Sequence, residues 1–113
     1  MINKVSEINI EQGFPTVDSA LMKLKNALTT FRGQGCKAVI VIHGFGSSGT
    51  GGGIKSGVQK VLSSSGMKGI VRGYCAGEDW VDKKRDIISH CQAIQNHERR
   101  ISGNQGVTLV LLR

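Results

Sequence analysis

A run of five apolar residues, Ala38 to Ile42, constrains the fold of this chain more than any other feature of its sequence. Four of the five are β-branched, and no polar residue alternates with them. A strand with one solvated face alternates apolar and polar residues, so a continuous run of this kind predicts a β-strand that is buried on both faces. The run is therefore expected to lie inside the core.

Helix and strand signals alternate along the rest of the chain, which has 113 residues and shows no repeat or linker. The order βαβαβαβ predicts a single α/β domain over residues 1–113. We expect a two-layer sandwich with a mixed sheet of about four strands and two to three helices. The remaining elements are expected at Val5–Ile10 (strand), Val17–Phe31 (helix, N-cap Thr16), Ile54–Ser65 (helix), Lys68–Tyr74 (strand), Val81–Asn96 (helix) and Val107–Leu112 (strand).

Composition narrows the class of protein. No apolar run approaches the ~18 residues of a membrane span, and the N-terminus lacks the apolar stretch of a signal peptide, so a cytoplasmic location without membrane contact is expected. Cys36, Cys75 and Cys91 are widely spaced and odd in number, as expected for reduced thiols. The spacing of cysteines and histidines matches no metal-site pattern, and neither a metal nor a cofactor is predicted.

Charge is distributed unevenly. The formal net charge is +7, and the stretch from Ser19 to Gly77 contains no Asp or Glu. All eight carboxylates lie outside this stretch, which itself contains eight Lys or Arg residues. A basic stretch of this kind favours polyanionic partners such as nucleic acid, although a merely soluble basic surface would look the same.

A glycine-rich segment, His43 to Gly53, follows the buried strand and leads into a helix. Six of its eleven residues are glycine, which allows backbone N–H groups to approach a ligand closely. The segment also ends at a helix N-terminus, where free N–H groups and the helix dipole favour an anion. The candidate phosphate-binding residues are Gly44, Gly46, Gly49, Thr50, Gly51, Gly52, Lys55 and Lys60.

Known glycine-rich motifs match this segment only in part. Gly44, Gly46 and Gly49 satisfy the dinucleotide-binding pattern GxGxxG, but no acidic ribose partner follows at the expected place. Lys55 stands where a phosphate-binding P-loop has its lysine, whereas Ile54 occupies the position of that loop's second glycine. A small nucleotide-binding module therefore stays open as an alternative function.

Nearly the whole chain resembles the Smr (small MutS-related) domain family. The resemblance lies in the buried strand that ends in His-Gly-x-Gly (VIVIHGFG), in Thr50-Gly51 before a helix, and in the closing segment GNQGVTLVLLR. The resemblance implies an α/β sandwich that binds DNA or RNA. Many members of the family are also nicking endonucleases, so it further implies a possible phosphodiester hydrolase activity.

The opening motif departs from the family. Where the family has Leu-Asp-x-His, this chain has Ile8-Asn9-Ile10-Glu11, so both the acid and the histidine are replaced. A non-catalytic interaction domain therefore stays open as a second alternative.

Two residues are the candidate catalytic groups. His43, at the end of the buried strand, is predicted to contact or protonate a phosphate; the alternative is a hydrogen-bonded structural histidine that holds the loop. Glu11 ends the first strand and would lie near His43 if the first two strands are parallel neighbours. Its carboxylate would then orient the imidazole or raise its pKa, or it would be a solvated surface acid.

Overall fold

The computed structural model describes residues 4–13, 16–44 and 50–113. The described residues form four strands, four α helices and three short 3-10 helices. In chain order the α helices and strands are β1 (Lys4–Asn9), α1 (Val17–Gly33), β2 (Cys36–Ile42), α2 (Thr50–Ser63), β3 (Val71–Ala76), α3 (Trp80–His90), α4 (Glu98–Ile101) and β4 (Val107–Leu112).

The four strands form one mixed sheet in the order β1-β2-β4-β3. β1 runs parallel to β2, and β4 runs antiparallel to both β2 and β3. β1, β2 and β3 therefore point the same way, and their carboxyl ends share one edge of the sheet with the start of β4. The α/β class and the mixed four-stranded sheet confirm the prediction from sequence.

Helices cover both faces of the sheet. Val39 and Val41 of β2 pack into one apolar cluster with side chains of α1 and α2. Ala38 and Ile40, which alternate with them, pack into a second cluster with α3, α4 and the 3-10 helix at Gln92–His97. The sheet is thus the middle of three layers, one more than the expected sandwich, and the prediction that β2 is buried on both faces is confirmed.

The helical count is also higher than expected, because the predicted helix Val81–Asn96 is interrupted. α3 ends at His90, and Cys91 adopts an extended backbone with φ −154° and ψ 96°. A 3-10 helix follows and places Ile94 in the same cluster as Cys91. A spacing of three residues fits a 3-10 helix as well as an α helix, so apolar periodicity cannot separate the two.

The boundaries of two helices bear on the candidate site. α1 begins as predicted, with the Thr16 hydroxyl accepting a hydrogen bond from the Ser19 amide at 3.1 Å. α2 begins at Thr50, four residues before the predicted start at Ile54. Glycine is a poor helix former, so a run of three glycines predicts a loop; the helix nevertheless includes it.

Candidate nucleic-acid interface

The candidate site lies at the sheet edge where β1, β2 and β3 end. Glu11 follows β1, His43 and Gly44 follow β2, and Glu78 follows β3. Gly106 precedes β4 and completes the edge. Glu11 was expected near His43 if β1 and β2 were parallel neighbours, and the two strands do pair in parallel.

His43 is fully buried, with 0% of its surface exposed. Its Nδ1 lies 2.6 Å from the carbonyl oxygen of Gly44, and its Nε2 lies 2.8 Å from the hydroxyl oxygen of Thr108 on β4. A carbonyl only accepts hydrogen bonds, so Nδ1 carries the proton, and in the neutral ring Nε2 accepts from the Thr108 hydroxyl. Both ring nitrogens are therefore engaged inside the protein.

The environment of His43 favours the neutral imidazole. Burial lowers its pKa below the ordinary value of 6.5, and the positive charge of Lys55 acts in the same direction. The hydrogen bond to Gly44 and the charges of Glu11 and Glu78 oppose this shift without reversing it. This geometry favours the loop-holding role over direct contact between His43 and a phosphate.

The backbone beside His43 is held by the segment before β4. The amides of His43 and Gly44 both donate to the carbonyl oxygen of Gly106, at 2.9 and 3.0 Å. The Gly106 amide in turn donates to the side-chain oxygen of Asn104 at 2.9 Å. A Cβ at position 106 would stand 3.2 Å from the Cα of Gly44, which is tighter than most Cβ contacts, so the close approach favours glycine there. Sequence reasoning did not single out Asn104 or Gly106 as residues of the site.

The Glu11 carboxylate lies beside the Cα of Gly44, where a Cβ would otherwise stand. Gly44 has φ +65°, and a Cβ on it would overlap the Glu11 carboxylate. Glu11 is exposed to solvent, whereas His43 is not. The structure thus brings the two candidate catalytic residues to one place but leaves only the carboxylate accessible.

Asn9 shapes the turn that carries Glu11. Its side-chain oxygen accepts hydrogen bonds from the amides of Glu11 and Gln12, at 2.9 and 3.0 Å. The ammonium group of Lys23 on α1 donates to the Asn9 carbonyl at 3.0 Å, which ties α1 to this end of β1. An aspartate at position 9 would also have a side-chain oxygen able to accept these two hydrogen bonds.

The two candidate lysines differ in position. Lys55, in the second turn of α2, forms an ion pair with Glu78. Lys60 lies exposed in the last turn of α2, roughly 15 Å along the axis from Thr50 at the usual helical rise. Lys55 therefore belongs to the site, and Lys60 lies away from it.

The candidate residues of the glycine segment also differ in position. The backbones of Thr50, Gly51 and Gly52 form the first turn of α2, whose amides have no partner within the helix. Gly44 lies at the end of β2, and Gly46 and Gly49 fall outside the described residues.

The carboxylate-free stretch of sequence does not produce a carboxylate-free site. Glu11 precedes that stretch and Glu78 follows it directly, and the sheet order places the two on either side of His43, where both charges act on its imidazole. The basic character of that stretch in the sequence therefore does not carry over to this edge of the sheet. The edge instead combines backbone donors, one paired lysine and two carboxylates.

The described residues contain neither a cluster of metal ligands nor a helix able to span a membrane. No three His, Cys, Asp or Glu side chains among them are gathered so as to hold a metal ion. The helices of the same residues are all too short or too polar to cross a bilayer.

Both the sequence and the fold of this chain are similar to those of known proteins. The sequence model of the Smr domain matches residues 12–113. The crystal structure of the Smr domain of Thermus thermophilus MutS2 superimposes with a TM-score of 0.57 at 21% identity, over 97% of this chain and 98% of that one. A search of curated proteins gave no match. On the match to residues 12–113, the chain belongs to the Smr domain family, which is known for nucleic-acid binding and nicking.

Proposed function

We propose that this chain binds nucleic acid at the sheet edge formed by Glu11, Gly44, the first turn of α2 and Lys55, and that it cleaves a phosphodiester bond there. The observation that supports the proposal most is the start of α2, which begins within the glycine run that follows the buried strand β2. In a family known for binding and nicking nucleic acid, this is the place where backbone amides can meet a phosphate.

Binding rests on several weak contacts acting together. The dipole of an exposed helix N-terminus contributes only about 0.3–1 kcal/mol, so the amides of Thr50, Gly51 and Gly52 need help from side-chain charge. Lys55 supplies a positive charge in the next turn, held by Glu78. A phosphate would compete with Glu78 for this lysine, and affinity would then depend on ionic strength.

The proposed chemical roles follow from exposure. Glu11 and Glu78 are both exposed at this edge, but Glu78 is paired with Lys55. Glu11 would therefore accept the proton of an attacking water, with the leaving oxygen protonated from solvent. His43 holds the end of β2 in place by donating a hydrogen bond from Nδ1 to the Gly44 carbonyl. The shape of the site therefore depends on His43, whereas the proton transfer depends on Glu11.

The first test measures binding and cleavage with the same protein. Fluorescence anisotropy with single-stranded RNA, single-stranded DNA and duplex DNA of one length, over a series of salt concentrations, should show log affinity falling linearly with log salt. Nicking is measured on supercoiled plasmid and on structured RNA, with and without divalent cations. The choice between DNA and RNA is read from the same measurements.

The Glu11→Gln variant separates binding from chemistry. Loss of a general base lowers a rate typically about 10²–10⁴-fold, so cleavage should fall by that order while binding persists. Asp86→Asn, an exposed carboxylate on α3, is the matched control and should leave both unchanged. Equal cleavage by Glu11→Gln and wild type would remove Glu11 from the mechanism, and binding without any cleavage by wild type would leave a non-catalytic interaction domain.

The topology of this sheet differs from that of a dinucleotide-binding unit. A dinucleotide site uses the turn after the first strand of a parallel βαβ unit. Here the glycine segment follows the second strand, and antiparallel β4 separates β2 from β3. Tight, saturable and salt-insensitive binding of NAD or ATP would nevertheless favour this alternative.

A further inference from the structure

The end of the sheet opposite the glycine segment contains a small basic pocket. It has a volume of about 110 Å³ and is lined by Lys37, Arg72, His90, Leu111, Leu112 and Arg113. His43 and Lys37 are separated by the length of β2, about 20 Å at the usual rise per strand residue. The pocket is therefore distinct from the candidate site described above.

Two bulges place the basic side chains of this pocket. In the pairing of β1 with β2, Lys4 faces Cys36 and Val5 faces Ala38, so Lys37 is an extra residue in β2. In the pairing of β3 with β4, Val71 faces Leu112 and Gly73 faces Leu111, so Arg72 is an extra residue in β3.

A bulge redirects a side chain and is often found beside a functional site. Here two bulges, in the strands on either side of β4, each insert a basic residue at the same end of the sheet.

Among the described residues, the basic side chains of the pocket form no ion pair with an Asp or Glu. The ion pairs there join other cations to carboxylates: Lys55 to Glu78, Lys84 to Glu98 and Arg100 to Glu7. No described Asp or Glu lines the pocket. Grouping cations without a counter-charge costs free energy in the unliganded protein, and a bound anion removes that cost.

One pocket residue is held in place by the backbone. The Arg113 amide donates to the Ile70 carbonyl at 3.0 Å, and its guanidinium Nε donates to the Lys68 carbonyl. A guanidinium fixed in this way has further N–H donors, and guanidinium groups match the oxygens of phosphate. The small volume accommodates a single tetrahedral anion rather than a base or a nucleoside.

We infer that Lys37, Arg72 and Arg113 form a second phosphate-binding site, which holds one phosphate group of a bound nucleic-acid strand. The strand assignment rests on the proposed function, whereas the affinity for phosphate does not. Inorganic phosphate and a strand phosphate share the chemistry that the site recognises, so the two sources are tested separately.

The first arm uses inorganic phosphate and amide NMR at constant ionic strength. Phosphate should shift the amide signals of Lys37, Arg72 and Arg113 in a saturable manner, and Lys37→Gln/Arg72→Gln should abolish the shifts. Lys83→Gln/Arg85→Gln removes the same charge from the exposed face of α3 and should retain them. The variants' own amide spectra verify that both fold. Absence of saturable shifts in wild type, or equal shifts in both variants, would overturn the site.

The second arm uses the salt series for nucleic-acid binding. Losing the contact with one strand phosphate should reduce the slope of log affinity against log salt by about 0.9 for duplex DNA, or about 0.7 for a single strand. The Lys83→Gln/Arg85→Gln control should keep the wild-type slope. Phosphate binding with an unchanged slope in Lys37→Gln/Arg72→Gln would overturn the strand assignment. Absence of nucleic-acid binding by wild type would instead overturn the proposed function and leave the phosphate site standing.

Discussion

At the scale of single residues, His43 explains how the candidate site keeps its shape. The imidazole is buried and bridges the Gly44 carbonyl to the Thr108 hydroxyl on another strand. A buried polar group is tolerated only when its hydrogen bonds are made, so the position of His43 depends on Thr108. The histidine of the His-Gly motif thus links the end of β2 to β4.

Thr108→Val tests this link. Valine has nearly the same shape but leaves His43 Nε2 without a donor, and an unsatisfied buried group costs about 1–3 kcal/mol. We expect the free energy of unfolding in urea to fall by that amount. Thr30→Val, at an exposed position of α1, is the control and should change it by less than about 0.5 kcal/mol. Equal effects of the two substitutions would show that the bond to Thr108 contributes nothing.

The buried imidazole also predicts a pH dependence of stability. The pKa of His43 lies below 6.5 in the folded protein, so the unfolded chain binds a proton more readily. Its contribution to stability is fully present above the unfolded pKa and is lost as pH falls below about 6.5, by up to about 1.4 kcal/mol per pH unit. Urea titrations over this range should show that slope in wild type and lose it in His43→Gln. A slope that persists in His43→Gln would assign the dependence to another group.

At the scale of elements, the end of β2 and the start of α2 shape the candidate site. The Gly106 carbonyl holds the end of β2, and Glu11 covers Gly44 where a side chain would otherwise stand. α2 then starts within the glycine run, so its first turn lies at the site rather than after it. Three of the six glycines in the segment are helical as a result.

Gly44→Ala tests the close approach of Glu11. A left-handed backbone costs a non-glycine residue about 1–2 kcal/mol, and the new methyl group must also displace the Glu11 carboxylate. Gly35→Ala has the same kind of strain, with φ +85°, but faces open space, and Gly66→Ala has neither problem. The loss of unfolding free energy should therefore rank Gly44→Ala above Gly35→Ala above Gly66→Ala. A loss for Gly44→Ala no larger than for Gly35→Ala would mean that Glu11 moves away freely.

At the scale of the whole molecule, the position of charge matters more than its sum. The net charge of +7 favours nucleic acid in general, but Glu11 and Glu78 lie at the proposed interface. Like charges near a bound phosphate weaken the complex by about 1 kcal/mol each at close range in water. The carboxylates therefore limit affinity at the edge where one of them is proposed to act.

A pair of charge variants tests this. Glu11→Gln/Glu78→Gln and Asp82→Asn/Asp86→Asn both raise the formal net charge from +7 to +9, the first at the candidate site and the second on α3. We expect the first pair to raise affinity for nucleic acid at low salt by up to about thirtyfold and the second pair to leave it within about twofold. Equal gains for both pairs would mean that only net charge matters.

Much of the fold was predictable because its signals are local. The run Ala38–Ile42 indicated burial on both faces, and the strand Val107–Leu112 was predicted with its observed bounds. Apolar spacing located α1, since each turn of an amphipathic helix repeats the pattern. The break at Cys91 was missed because no glycine or proline marks it, and because the spacing of Cys91 and Ile94 fits a 3-10 helix as well as an α helix.

What the sequence determined by itself was the succession of elements, the glycine segment and the family to which the chain belongs, since all of these are patterns between near neighbours. The tertiary structure alone decided the charges and contacts of the site. Sheet order β1-β2-β4-β3 brings the ends of three strands to one edge, and so places Glu11 and Glu78 beside a histidine far from either along the chain. It also buries that histidine against Thr108, because contacts across a sheet depend on strand pairing, which no local pattern encodes.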